Sequence, residues 1–402
     1  MNLSTRIIFY LVVGLLAITG LYSGLKNENP QIYTTSQQEI ENGQVSAKKT
    51  ATSTNLEKIA TTSTKISTAQ EKKIVATTTK KIVTKIVTKK TEKPLETVSV
   101  AINPPTITIV NNTIPALELN KKIRDSIVNI LCIADSEGYL RPISGTGVII
   151  DPKGIILTNA HIGQYFLVKD YPRKDFIHCF ARTGSPAKEA YSLELMYLPS
   201  AWVENNLQNI VSDDPLGTGE NDFALLKITG PYQTATPLPS VFLFLNPEPN
   251  PIFIYQNEDV ELAGYPAGFL GALAISQNLY ITSTLSKIFD VFTFKEDTVD
   301  VLSLGGTIVA QKGSSGGAVA SLAGNLLGII VTTTPGKTTG ERDLHAITIN
   351  HINNKLLETS GHGIKEVLGG DIAKFADDYN TNTAPALSKL LIDQIKKRVG
   401  AL

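Results

Sequence analysis

Three short stretches hold the side chains that could make and break an acyl bond. The first is Gly313-Ser314-Ser315-Gly316-Gly317. A serine hydroxyl is a poor nucleophile until a base takes its proton, so it needs a rigid, exposed setting beside that base. Glycines on both sides permit unusual backbone angles and let a peptide carbonyl come close. The amides of Gly313 and Ser315 can then converge as an oxyanion hole. The second stretch is Thr158-Asn159-Ala160-His161, which places a histidine among small neighbours at the end of an apolar run. The third is Asn221-Asp222-Phe223-Ala224-Leu225-Leu226, an aspartate leading a strand into the core. A buried carboxylate is costly unless paired, and pairing to an imidazole is what a catalytic acid of this kind does.

Each stretch also has a plainer reading. A lone histidine is more often structural, an aspartate before a strand is often a turn residue, and a Gly-rich loop can cradle phosphate. The phosphate reading fails here because no Lys follows the glycines. Singly the motifs are weak, whereas their order His, Asp, Ser is specific.

The elements that must position them are short β-rich runs broken by Gly, Pro and Asp. Strands are expected at 126–134, 147–150, 154–158, 176–181, 192–197 and 223–228, then a Pro-rich connection over 235–251. A second set is expected at 259–263, 276–284, 291–294, 307–310, 318–320, 326–331 and 345–349. Strands at this spacing without intervening helices indicate antiparallel barrels, not a parallel α/β sheet. The expected fold is therefore all-β: two six-stranded barrels with the catalytic cleft between them, His161 and Asp222 on the first and Ser315 on the second. That is the chymotrypsin arrangement.

Composition separates this domain from what precedes it. Residues 1–117 hold 14 of the 37 Lys/Arg but 7 of the 37 Asp/Glu, a charge of +7 that residues 118–402 balance with −7. The apolar run Ile7–Leu25 is long enough to span a bilayer, which takes roughly 17–25 residues. A membrane anchor (1–26) is favoured over a cleaved signal, because no Ala-x-Ala precedes the charge that follows. Residues 27–117 are Thr- and Lys-rich with degenerate Lys-Ile-Val repeats, a disordered linker on composition. The basic residues lack interleaved aromatics, so no nucleic acid is expected as partner. The protease-like domain is assigned to 118–360, with barrel one about 120–233 and barrel two about 255–350. The tail, 361–402, carries one amphipathic helix candidate at Leu387, Leu390, Leu391 and Ile395. Two cysteines are too few for a disulfide framework or a zinc site, and no metal or cofactor is expected.

A family resemblance rests on these residues. Gly145-Thr146-Gly147-Val148-Ile149-Ile150, the run Gly154 to His161, Asp222 to Lys227, Ala263-Gly264-Tyr265-Pro266-Ala267-Gly268, Gly313 to Gly317 and Ala346 to Asn350 together look like the HtrA (Do-like) branch of trypsin-like serine proteases. The likeness covers about 120–358. It implies a serine endopeptidase that cuts exposed or misfolded proteins, with trimers possible; the apolar run 7–25, read as a single membrane pass, puts the domain on the periplasmic or cell-surface side. The competing function is a catalytically idle, protease-like peptide-binding module. The family usually carries a PDZ domain after the protease, and the residues after 358 are too few for one. About 20 extra residues near Leu198–Thr218 are expected as a surface loop over one edge of the cleft. Ser314 stands where digestive relatives have an Asp, so activation by a newly cut N-terminus has no ionic partner. In this fold the residue six before the nucleophile, Val309, lines the floor of the primary pocket, with Val331 and Thr332 in one wall. No acidic residue is placed to receive Lys or Arg, so small or medium aliphatic side chains are expected there. Cys132 and Cys179 fall on the first and fourth strands of barrel one, which are neighbours once it closes; a cross-strand bridge and two separate thiols are both open readings.

Overall fold

The computed structural model describes residues 113–400 apart from 136–139, 213–218, 234–236, 250–255, 269–274, 276, 295–297 and 335. The stretch expected as an anchor, and the expected linker up to residue 112, lie outside the described residues; Ala116 and Leu117, at the linker's expected end, already belong to a helix. Among the described residues no helix is long and apolar enough to cross a membrane.

Barrel one is built from β1 (Ile127–Ala134), β2 (Ile143–Asp151), β3 (Ile155–Thr158), β4 (Ile177–Thr183), β5 (Lys188–Tyr197) and β6 (Ala224–Pro231). These close in the order β1-β2-β3-β6-β5-β4, every pair antiparallel. β1 and β3 are β-branched and aliphatic runs, and β3 is buried along its whole length. Closing the barrel brings β1 against β4 with Cys132 opposite Cys179, and the two are disulfide-bonded.

The second set is β7 (Asn246–Pro247), β8 (Asp259–Gly264), β9 (Thr282–Lys287), β10 (Asp290–Phe292), β11 (Val301–Ser303), β12 (Ala318–Ser321), β13 (Asn325–Thr333) and β14 (Leu344–Thr348). Its order is β10-β11-β14-β13-β12-β8-β9, with β7 parallel to β13. The expected second closed, wholly antiparallel six-stranded barrel is corrected to an open sheet of eight. Its edge strands β9 and β10 follow each other in sequence, yet they have no ladder between them among the described residues. Its strands enclose their own core of Val260, Leu262, Leu302, Val319, Leu327 and Ile330. The strand expected at 307–310 is a turn, and β11 lies before it. Val309 and Ala310 are apolar because tertiary packing buries that turn, which a strand-length apolar run cannot be told from.

Helices cover both units. The helix α1 (Ala116–Asp125) buries Leu119 and Ile123 one turn apart, with Glu118 in its first turn and Lys122 and Arg124 in its last, as its dipole favours. Helix α2 (Ala160–Leu167) follows β3 directly. The residues expected as a surface loop instead contain α3 (Ser200–Asn205) and a 3-10 turn (Leu207–Val211), with Trp202, Val203, Ile210 and Val211 buried. What buries them comes from far along the chain. After α4 (Ile349–Ser360), α5 (Ile364–Gly369) and α6 (Ile372–Asn382), the helix α7 (Ala384–Val399) lays Leu387, Leu391 and Ile395 against α2, α3 and that 3-10 turn. Arg398 donates to the Val211 carbonyl, and Tyr379 of α6 donates to that of Leu198 at 2.9 Å.

Candidate active site

The first turn of α2 presents His161, which is 3% exposed, to Asp222, which is fully buried. The carboxylate is used twice. One oxygen accepts the His161 backbone N–H at 2.9 Å, and the other lies 2.9 Å from His161 Nδ1. A carboxylate oxygen of this pair can only accept, so Nδ1 carries the proton and Nε2 is left with its lone pair. Asn159 Nδ2 donates to the Asp222 carbonyl at 2.9 Å, so the strand end and the helix start are bonded on both sides. Sequence spacing placed His161 after a strand; the structure adds that it is in a helix, which lets its own amide reach the acid. One turn on, burial pushes the Tyr165 phenol up to about 12.

Ser315 lies on the connection between β11 and β12, and it alone of the three is partly open to solvent. Its hydroxyl is 3.5 Å from the Val331 carbonyl on β13. Gly145 stands between the two units: a Cβ there would meet the Ile162 side chain at 2.7 Å and the Ser315 carbonyl at 3.5 Å. The flanking glycines are required. Gly313 has φ +92° and Gly316 φ +82°, and a Cβ at Gly316 would fall 1.9 Å from the Thr146 carbonyl.

The amides read as an oxyanion hole are oriented by their own peptide carbonyls. The Lys312 carbonyl accepts from Ala267 N at 2.7 Å, which turns the Gly313 N–H of the same trans peptide the other way. The Ser314 carbonyl accepts from Gly317 N at 2.8 Å, which does the same for the Ser315 N–H. Neither amide donates to a backbone carbonyl among the described residues.

Thr146 on β2 secures this loop, and no role was read for it in the sequence. Its hydroxyl accepts from Tyr265 N at 2.9 Å and donates to the Gly313 carbonyl at 2.8 Å. Its amide donates to the Ser315 carbonyl at 2.7 Å, and its carbonyl accepts from Thr158 Oγ1 at 2.7 Å. The signal lies in the Gly145-Thr146-Gly147 run, a hydroxyl between two glycines ahead of the aliphatic stretch Val148–Ile150. Ser314 is fully buried beside Gly264, where a Cβ would lie 3.3 Å away.

Val331 and Thr332 line a cavity of about 210 Å³ with Gly219, Phe292, Phe294 and His345. Val309 is fully buried in the core of the second sheet and does not line that cavity. A larger cavity of about 480 Å³ lies elsewhere, between α1 and residues 241–246.

Residues 145–329 match the model of the trypsin-like peptidase domain. These residues, a little under half of the chain, are similar to a trypsin-like peptidase domain. Among solved structures, the active form of the Rv3671c protease from M. tuberculosis is 19% identical, covering 61% of this chain and 87% of that one, with a TM-score of 0.37. Deg5 is 16% identical, covering 61% and 94%, with a TM-score of 0.39. A sequence comparison with curated proteins returns no match. The peptidase match runs from Gly145 on β2 of the His-bearing barrel to Ile329 on β13, and so includes the stretches holding His161, Asp222 and Ser315.

Proposed function

We propose that this domain hydrolyses peptide bonds through an acyl-enzyme on Ser315, with His161 as base and Asp222 orienting it. The observation that carries the reading is the double use of the Asp222 carboxylate, which fixes both the ring and its proton. In the first step Ser315 Oγ attacks the scissile carbonyl carbon while His161 Nε2 takes its proton. The negative oxygen that forms is met by the Gly313 and Ser315 amides, donors worth about 3 kcal/mol each to a transition state of this kind. His161 then returns the proton to the leaving amine, the C–N bond breaks, and the acyl ester remains. Water repeats the sequence: His161 takes its proton, the hydroxide oxygen adds to the ester, and Ser315 leaves with the proton restored.

The substrates are exposed or misfolded protein segments, with small or medium aliphatic side chains before the cut bond. This follows from the motifs shared with the Do-like proteases and from the absence of an acidic group among the wall residues. The domain works outside the cytoplasm, anchored through residues 7–25, where a Cys132–Cys179 bridge persists.

The test is hydrolysis of fluorescein-labelled casein by the full chain beside Ser315→Ala. Cleavage by the wild type and none by the variant is expected. Equal rates would remove Ser315 from the mechanism. An idle wild type whose Ser315 also fails to react with a fluorophosphonate would make the domain a binding module instead.

A further inference from the structure

A second histidine–aspartate pair is buried outside the three stretches, and the mechanism above does not use it. His351 and Asp300 are 5% and 2% exposed, and His351 Nδ1 lies 3.0 Å from Asp300 Oδ1. Asp300 is well supplied with donors. Its second oxygen accepts from Thr298 Oγ1 at 2.7 Å, Phe294 N at 2.7 Å and Thr293 Oγ1 at 3.2 Å. Burial pushes this carboxyl up, but those donors together with His351 outweigh burial and hold it below the ordinary carboxylate range.

The other ring nitrogen is the informative one. His351 Nε2 lies 2.6 Å from the carbonyl oxygen of Glu220, two residues before Asp222. Each ring nitrogen thus faces an oxygen, one on Asp300 and one on Glu220. One turn further along α4, Lys355 Nζ pairs with the Glu220 carboxylate at 3.1 Å. Glu220 is thus gripped twice by one helix, at its backbone and at its side chain. The next bond in line is Asp222 N to the Gly219 carbonyl, 3.1 Å, which closes the turn that presents the acid.

We propose that His351, oriented by Asp300, is a positioning residue for the orienting acid: from α4 it holds the 219–222 turn of the His-bearing barrel. A residue whose role were only to stabilise the second sheet would have no reason to spend its second nitrogen on Glu220. The inference rests on the proposed triad, and its test separates the two.

The measurement is kcat and KM on fluorescein-labelled casein for the full chain, with melting temperature recorded for every variant. The variants are His351→Leu, Asp300→Asn and Lys355→Met, plus His351→Leu combined with Asp222→Asn. A slackened turn misplaces the acid by a fraction of a bond length, so His351→Leu is expected to lower kcat about 10- to 100-fold. KM should stay within about threefold. If His351 acts through Asp222, its loss costs at most about twofold once Asp222→Asn is already present. Lys355→Met, at the rim of the grip, should lower kcat in the same direction by a few fold.

A folded His351→Leu with wild-type kcat overturns the inference, as does a full loss that persists on the Asp222→Asn background. A rise in KM alone overturns it as well. Should His351→Leu not fold, Asp300→Asn and Lys355→Met decide, and unchanged kcat in both rejects the grip. Cleavage that survives Ser315→Ala would reject the triad itself, an outcome none of the others mimics.

Discussion

Replacing Thr146 by Val changes almost no volume and removes one hydroxyl. That hydroxyl is bonded on both sides, to Tyr265 N at 2.9 Å and to the Gly313 carbonyl at 2.8 Å, in a fully buried position. Valine leaves a buried amide and a buried carbonyl without those partners, at about 1–3 kcal/mol each. Some of this is recovered because valine has no hydroxyl to desolvate, so a net loss of about 2–4 kcal/mol is expected. For a domain of this size that is on the order of 10 °C in melting temperature. The catalytic effect is separate. The Gly313 carbonyl lies between the two peptides that aim the amides proposed as the oxyanion hole, and freeing it lets the Gly313 amide wander. Loss of one such donor costs about 3 kcal/mol at the transition state, roughly 100-fold in kcat. Thr146→Ser keeps the hydroxyl and gives up only a methyl, so it should retain most of the rate and lose about 1 kcal/mol of stability. The assay is kcat and KM on labelled casein, with the rate of fluorophosphonate labelling at Ser315 as a check on the nucleophile. A folded Thr146→Val with wild-type kcat, or a serine variant as slow as the valine one, would refute the reasoning.

Two further outcomes follow from groups away from the nucleophile. Burial pushes the Glu261 carboxyl above its ordinary value of 4.5, against a bond from Asn120 and the charge of Arg124, which both lower it. A raised carboxyl favours the protonated form in the fold, so its contribution is fully present below 4.5 and is lost as pH rises through the raised value. Glu261→Gln is therefore expected to raise the melting temperature at pH 7 and to leave it nearly unchanged at pH 4; the reverse order would reject the sign. The Cys132–Cys179 bridge closes 47 residues of sequence. Its removal as a Ser pair should cost about 2–4 kcal/mol, read as a lowered denaturant midpoint that reductant reproduces in the wild type and not in the variant.

The site was legible in the sequence to the extent that its chemistry is local. Gly313 and Gly316 need positive φ, and small residues surround His161, so each requirement is written within a few positions. The closed first barrel was legible for a similar reason, since β1, β2 and β3 are dominated by β-branched and aliphatic residues between Gly, Pro and Asp breaks. What escaped depends on partners far off in sequence. Trp202, Val203, Ile210 and Val211 show no single helical or strand period, because a six-residue helix and a 3-10 turn share them. They are apolar because α7, from far along the chain, and α2 pack against them. The Val309 turn was read as a strand because burial by the second sheet gives it a strand-like composition. Asp300 and His351 carry no motif at all, and their pairing is visible only once α4 is seated beside the 219–222 turn.

The seating of α7 behind α2 also sets a schedule for synthesis. The histidine's helix is complete at Leu167, but the surface that covers its outer side begins at Ala384. A ribosome adding roughly 5–20 residues per second needs tens of seconds to cross that interval. Throughout it the nascent first barrel exposes the apolar side of α2, α3 and the 3-10 turn, and the loop bearing Ser315 is absent for most of the same period. A peptidase assembled in this order has no finished site while it is being made, and its last large helix both completes the core and ends the interval in which that core is open to aggregation.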